Sequence, residues 1–154
     1  MDVSYDVITG AFLQKVTEYE LLSLAEPLRD SVVAGYLARA ASELAPVCKA
    51  YFTIANDPDN ESIQITMKRG ETDTADVGEI VNILSEGMIV QWLKPFVNRQ
   101  ENLELVMNTR DFSTYSPAEL LHRVCERYKM AKSEYKQMIY EYTYAHGDLK
   151  RLHL

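Results

Sequence analysis

At 154 residues the chain can bury one real core, and its length is that of a single domain. Its 47% hydrophobic and 25% charged residues are ordinary globular proportions, and no apolar run approaches the roughly 20 residues that cross a bilayer. A net charge of −7 argues against a general nucleic-acid binder held by phosphate contacts, and two cysteines in no paired pattern exclude a disulfide framework.

Met1 to Gln14 carries Asp2 and Asp6 and no basic residue, which is not the pattern of a secretory signal. Val7, Ile8, Ala11 and Phe12 fall at helical spacing and predict a short helix over 4–15. Thr17-Glu18-Tyr19-Glu20 reads as a capping box ahead of Leu21, Leu22 and Leu24. Pro27 suits a first helical turn. A helix follows with Leu28, Val32, Val33, Tyr36, Leu37, Ala40, Ala41 and Leu44 on its buried side, and Pro46 marks its end or a kink. Cys48 and Cys125 read as free thiols in a reducing compartment.

Residues 49–70 break the helical period. Tyr51-Phe52-Thr53-Ile54 and Ile63-Gln64-Ile65-Thr66-Met67 are β-type runs, and Asn56-Asp57-Pro58-Asp59-Asn60 between them is dense turn chemistry. A β-hairpin over about 49–68 should project from a helical body and rest on the helices or on a partner, since a lone hairpin is marginal in water. Asp57, Asp59 and Glu61 begin like a calcium loop, but Ser62 stands at the glycine position and Lys68 at the bidentate glutamate position, so the tip reads as solvated.

Thr74 to about Lys94 is the next predicted helix, with Val77, Ile80, Val81, Leu84, Met88 and Trp92 on its apolar side. Pro95 kinks or interrupts it before it continues to Met107. The connection 108–115 is long for a helix–helix turn and contains Phe112 and Tyr115. Ser116-Pro117-Ala118-Glu119 is a strong helix start. Leu121, Val124, Tyr128, Ala131, Tyr135, Met138, Tyr142 and Ala145 then alternate in steps of three and four, the seam of a helix packed lengthwise on another. Tyr140 and Tyr144 point away from that seam, towards solvent or an interface. Gly147 ends the helix. Leu149, Leu152 and Leu154 give the following seven residues an apolar character unusual for a frayed end, so they are expected to dock, either back on their own domain or on another subunit.

Charge is uneven along the chain: residues 1–120 carry 9 basic and 19 acidic side chains, residues 121–154 carry 7 basic and 4 acidic. Arg123, Arg127, Lys129, Lys132 and Lys136 form either a solvated face or the basic end of a dipolar protomer that meets acidic neighbours. His122, His146 and His153 show no metal-ligand spacing, there is no glycine-rich phosphate loop, and no two carboxylates single themselves out as acid and base. The expectation is a protein without catalysis, cofactor or metal. Its fold should be mainly α: a compact helical bundle over 1–145 with a long C-terminal helix and the hairpin insertion, followed by a docking tail over 146–154.

Several stretches resemble head-to-tail connector proteins of tailed bacteriophages, also called adaptor or neck proteins. They are Ser85-Glu86-Gly87-Met88-Ile89-Val90-Gln91-Trp92-Leu93-Lys94-Pro95, Arg99-Gln100-Glu101-Asn102-Leu103, the run from Asn108 to Leu121, and Tyr144-Ala145-His146-Gly147-Asp148-Leu149. The opening Tyr5-Asp6-Val7-Ile8-Thr9-Gly10-Ala11-Phe12 is also similar. The resemblance implies a small helical domain in the virion neck, made in the host bacterial cytoplasm. It implies copies in a ring, commonly twelve, beneath the portal protein, with DNA passing through the bore without specific binding. It places portal docking on His146, Gly147, Asp148, Leu149, Lys150, Arg151, Leu152, His153 and Leu154. Contacts to ring neighbours or to the next neck or tail protein would fall on Asn56, Asp57, Pro58, Asp59 and Asn60, and on Arg110, Asp111, Phe112 and Tyr115. Two other readings stand beside it. One is a small helical nucleic-acid-binding or regulatory protein acting through the basic stripe of the last helix. The other is an enzyme using Cys48 or Cys125 as a reactive thiolate.

Overall fold

The computed structural model describes residues 1–16, 26–107 and 115–147. The predicted capping box at Thr17 and the leucines after it lie outside them. Chain order is β1 (Asp2–Ser4), α1 (Tyr5–Lys15), α2 (Glu26–Cys48), β2 (Phe52–Asp57), β3 (Ser62–Met67), α3 (Thr74–Met107) and α4 (Tyr115–Ala145). The fold is mainly helical, with a small antiparallel sheet and a long last helix, as the sequence predicts.

The predicted first helix is α1. Ser4 caps it, its side chain accepting from the Asp6 N–H at 3.3 Å, and Ile8 and Phe12 are its buried residues. α2 runs through Pro46 to Cys48, two residues past the expected break. Its buried side is the predicted one from Val33 onwards, with Leu37, Ala40, Ala41 and Leu44 in the core. Leu28 is a correction: its side chain is 54% exposed, because inward packing of this helix starts a turn later.

The hairpin forms with Phe52 opposite Met67 and Asp57 opposite Ser62. It does not stand alone. β1 pairs antiparallel with the other edge of β3, Val3 opposite Ile63, giving the order β1-β3-β2. Alternation then does the sorting: Phe52, Ile63 and Ile65 are fully buried on the helices, while Thr53, Gln64 and Thr66 face solvent. β1 has no signal in the sequence, since three residues carry no measurable period.

α3 passes through Pro95 without ending, and its middle is enclosed. The sequence predicts a one-sided stripe. In fact Ile83, Leu84, Ser85, Gly87, Met88, Ile89, Val90 and Gln91 are all buried, and Leu93 with them. The reason is that α1, α2 and α4 all pack against this one helix. At Gly87 both α2 and α4 crowd it. A Cβ there would sit 3.1 Å from the Tyr135 ring on α4 and 3.3 Å from the Ala40 methyl on α2.

α4 begins at Tyr115, so Ser116 lies in its first turn and not ahead of it. Ala131 and Tyr142 are buried and Tyr128, Tyr135 and Met138 pack on the core, as the seam predicts; Ala145, the last seam position, is exposed.

Substituting Gly87→Leu should lower stability by about 1–3 kcal/mol through overpacking at the three-helix contact, read as a lowered melting temperature. Gly87→Ala should cost far less, because better helix propensity offsets a displacement of a few tenths of an ångström.

Candidate functional site

The far end of α4 is held to the base of the sheet by aromatic side chains. Tyr142 lies edge-on to Phe52 at 5.4 Å and to Tyr51 at 6.4 Å, and stacks on the His146 ring at 4.1 Å. Its hydroxyl points at Met67 Sδ, 4.0 Å away. His146 continues the clamp across the chain. Its Nδ1 lies 2.9 Å from the Tyr142 carbonyl oxygen and its Nε2 lies 3.3 Å from Asp76 Oδ1 in the first turn of α3. His146 and Gly147 are therefore seated on the body, while Asp148, Leu149, Lys150, Arg151, Leu152, His153 and Leu154 lie outside the described residues.

At the opposite end of the sheet the hairpin tip is held by hydrogen bonds. Asp57 accepts from the Asn60 backbone N–H at 3.2 Å and from its side-chain amide at 2.7 Å, which holds the Asp57 carboxyl below the usual carboxylate range. Glu61 adopts φ 47° to close the turn, and its carbonyl accepts from the Tyr5 N–H at 2.8 Å. Tyr5 also donates its hydroxyl to Asn56 Oδ1. The predicted contact residues Asn56 to Asn60 thus sit on one fixed, acidic corner. Of the second predicted group, Arg110, Asp111 and Phe112 lie outside the described residues, and Tyr115 opens α4.

Among the hollows formed by the described residues, two bear on this scaffold. A cleft of about 560 Å³ lies between α1, α2 and the tip, with Asp6, Asp30 and Glu61 around it and Leu13, Val33 and Ala38 along its floor. A second hollow, about 350 Å³, lies between α2, α3 and α4. It is lined by Val47, Val90, Tyr135, Ile139 and Tyr140 and edged by Glu43, Lys132 and Lys136. Val47 and Tyr140 are 57% and 69% exposed, and Tyr144 on the next turn is 77% exposed. Tyr140 and Tyr144 thus face outward, as the seam spacing predicts.

Sequence reasoning missed one polar anchor. Lys15 donates to Asn82 Oδ1 at 2.8 Å, Ser85 Oγ at 2.9 Å and Glu86 Oε1 at 2.8 Å, tying α1 to the middle of α3. The buried Ser85 hydroxyl donates in turn to the Asn82 carbonyl at 2.8 Å. Only the period of α3 could have hinted at it, through a serine placed on an otherwise apolar turn.

Chemistry beyond binding finds few groups poised for it. Cys48 is fully buried, and desolvation pushes its thiol up to about 11, the reverse of an activated thiolate. Cys125 is half-buried on α4. His122 is exposed and pairs with Glu126 at 3.2 Å one turn on. Among the described residues no three His, Cys, Asp or Glu side chains are grouped to hold a metal ion, and no helix is long and apolar enough to cross a membrane. Comparison with protein-family models, with curated proteins and with solved structures found no match.

The clamp has a pH signature. Burial, then the nearby charges of Asp76 and Glu79, raise the Tyr142 phenol from 10.0 to about 12. A raised pKa means that folding favours the neutral ring. That contribution is complete below pH 10 and is lost as pH rises through about 12. Melting temperature should therefore fall over this window, and Tyr142→Phe should make the fall shallower while melting close to the parent at pH 8.

Proposed function

We propose that this chain is a structural adaptor of a tailed-phage neck. Copies of it form a ring between the portal and the next neck or tail protein and extend the DNA channel. The observation that carries this reading is the clamp at the end of α4. Tyr142 and His146 anchor the end of α4 to the sheet and to α3, so the leucine-rich stretch 148–154 follows directly on an anchored point. A segment launched from a fixed point needs less ordering to dock than one on a loose terminus. Burying Leu149, Leu152 and Leu154 contributes at most about 1.5–3 kcal/mol each. One such segment binds weakly, whereas a ring of them on a symmetric partner binds tightly through effective concentration.

Two further features support the reading. The body carries an excess of acidic side chains, which suits a bore that DNA passes without sticking. The exposed Val47, Tyr140 and Tyr144 provide apolar and aromatic surface of the kind found in protein contacts.

The test is affinity capture from infected-cell lysate, with full-length bait beside a version ending at Gly147, which keeps the His146 anchor. A portal-sized partner held only by the full-length bait is the expected result. Equal capture by both baits would move the docking site off residues 148–154, and capture of nucleic acid without virion protein would overturn the adaptor reading. Leu152→Asp should cut portal capture at least tenfold while the circular-dichroism melt of the body stays within a few degrees of the parent.

A further inference from the structure

The cleft beside the hairpin tip has a chemistry that selects its occupant. Asp6, Asp30 and Glu61 contribute three carboxylates to a lining that also holds Leu13, Val33 and Ala38, and among the described residues no lysine or arginine lines it. Arg29, which is not among those lining residues, has its Nε 3.8 Å from Asp30 Oδ1. Three of the lining residues are joined to one another, since Tyr5 donates its hydroxyl to Asn56 and its N–H to the Glu61 carbonyl. Such a hollow suits a short segment that alternates apolar and cationic side chains. This chain contains one, Leu149-Lys150-Arg151-Leu152-His153-Leu154.

We infer that the acidic cleft of one copy receives residues 149–154 of a second copy, joining copies head to tail. The chain's own cleft is a poor receiver on length alone. α4 ends beside Tyr51, Phe52 and Met67 at the base of the sheet, whereas the cleft lies at the tip. β3 from Met67 to Ser62 spans about 17 Å. The ten residues of α2 from Ala38 to Cys48 span about 15 Å. Seven extended residues after Gly147 reach about 24 Å, so crossing that distance uses about five of them and leaves only His153 and Leu154 to enter. A second copy's cleft can take the whole segment. The contact joins unlike surfaces, so it propagates from copy to copy and closes into a ring when the rotation allows.

This inference rests on the adaptor reading only in treating residues 148–154 as a docking segment. It names a receptor for them in the free protein, from which the portal then takes them. The experiment uses purified protein without portal, so its failure leaves portal capture untouched. Loss of portal capture with self-association intact would count against the adaptor reading alone.

Sedimentation velocity of the full chain should show association that grows with concentration, and the version ending at Gly147 should stay monomeric. A fluorescein-labelled peptide of residues 147–154 should bind the shortened protein in an anisotropy titration, more weakly as salt rises. Asp30→Lys, at a side chain 65% exposed, should weaken that binding at least tenfold without disturbing the fold. Ala34→Trp, which fills the cleft, should do the same. A peptide carrying Lys150→Glu and Arg151→Glu should recover binding to the Asp30→Lys protein. The inference is overturned if the peptide does not bind, or if it binds both cleft variants as well as the parent. It is equally overturned if the full chain stays monomeric while the shortened protein binds peptide, since the segment then occupies its own chain's cleft.

Discussion

The structure depends on the enclosure of α3. One helix in the middle of a 154-residue chain is packed by α1, α2 and α4 at once, and at Gly87 the absence of a side chain lets α2 and α4 both close on it. Ridge-into-groove packing usually keeps helix axes 8–10 Å apart, and small residues let axes approach at the lower end. Here the space a side chain would fill is taken by the Tyr135 ring from α4 and the Ala40 methyl from α2. Burial pushes the Tyr135 phenol well above the usual tyrosine range, the same desolvation felt at Tyr142 two turns on. The rest of the fold hangs from this contact: α1 is tied to it by Lys15, and α4 is aligned by it along its length.

Alignment of α4 sets the two ends of the molecule apart. At one end, Tyr142 and His146 lock the helix terminus against the sheet base and against Asp76. At the other, the hairpin tip and α1 enclose an acidic hollow. The basic residues Lys129, Lys132 and Lys136 lie exposed on α4, with Lys132 and Lys136 at the hollow between α2, α3 and α4. The proposed contact between copies needs unlike surfaces of this kind, because a head-to-tail interface joins one patch to a different one.

Much of the architecture was legible in the residues. The helical period marked α1, α2 and α4, and the alternation of Ile63 and Ile65 with Gln64 and Thr66 marked β3 and its buried face. Turn chemistry at 56–60 placed the hairpin tip, and the three-four seam separated buried Tyr142 from exposed Tyr140 and Tyr144. Leu28 is in phase with its helix yet exposed, because an apolar residue is buried only if something is packed opposite it. Of the candidate site, the sequence pointed to the acidic tip and to the segment after Gly147. It could not show that His146 is held by Asp76, a contact across 70 positions.

What the sequence determined by itself is what short-range physics controls: periodicity, turn residues, the break at Gly147 and the charge of each stretch. Tertiary structure alone decided whatever required distant segments to meet. β1 exists because β3 offers it an open edge, and Val90 and Ile89 are buried because three helices surround them. The acidic cleft exists because Asp6, Asp30 and Glu61, spread over 55 positions, converge on one hollow. Local pattern fixes which face of an element is apolar; only the assembled packing fixes how many faces are covered and which charges become neighbours.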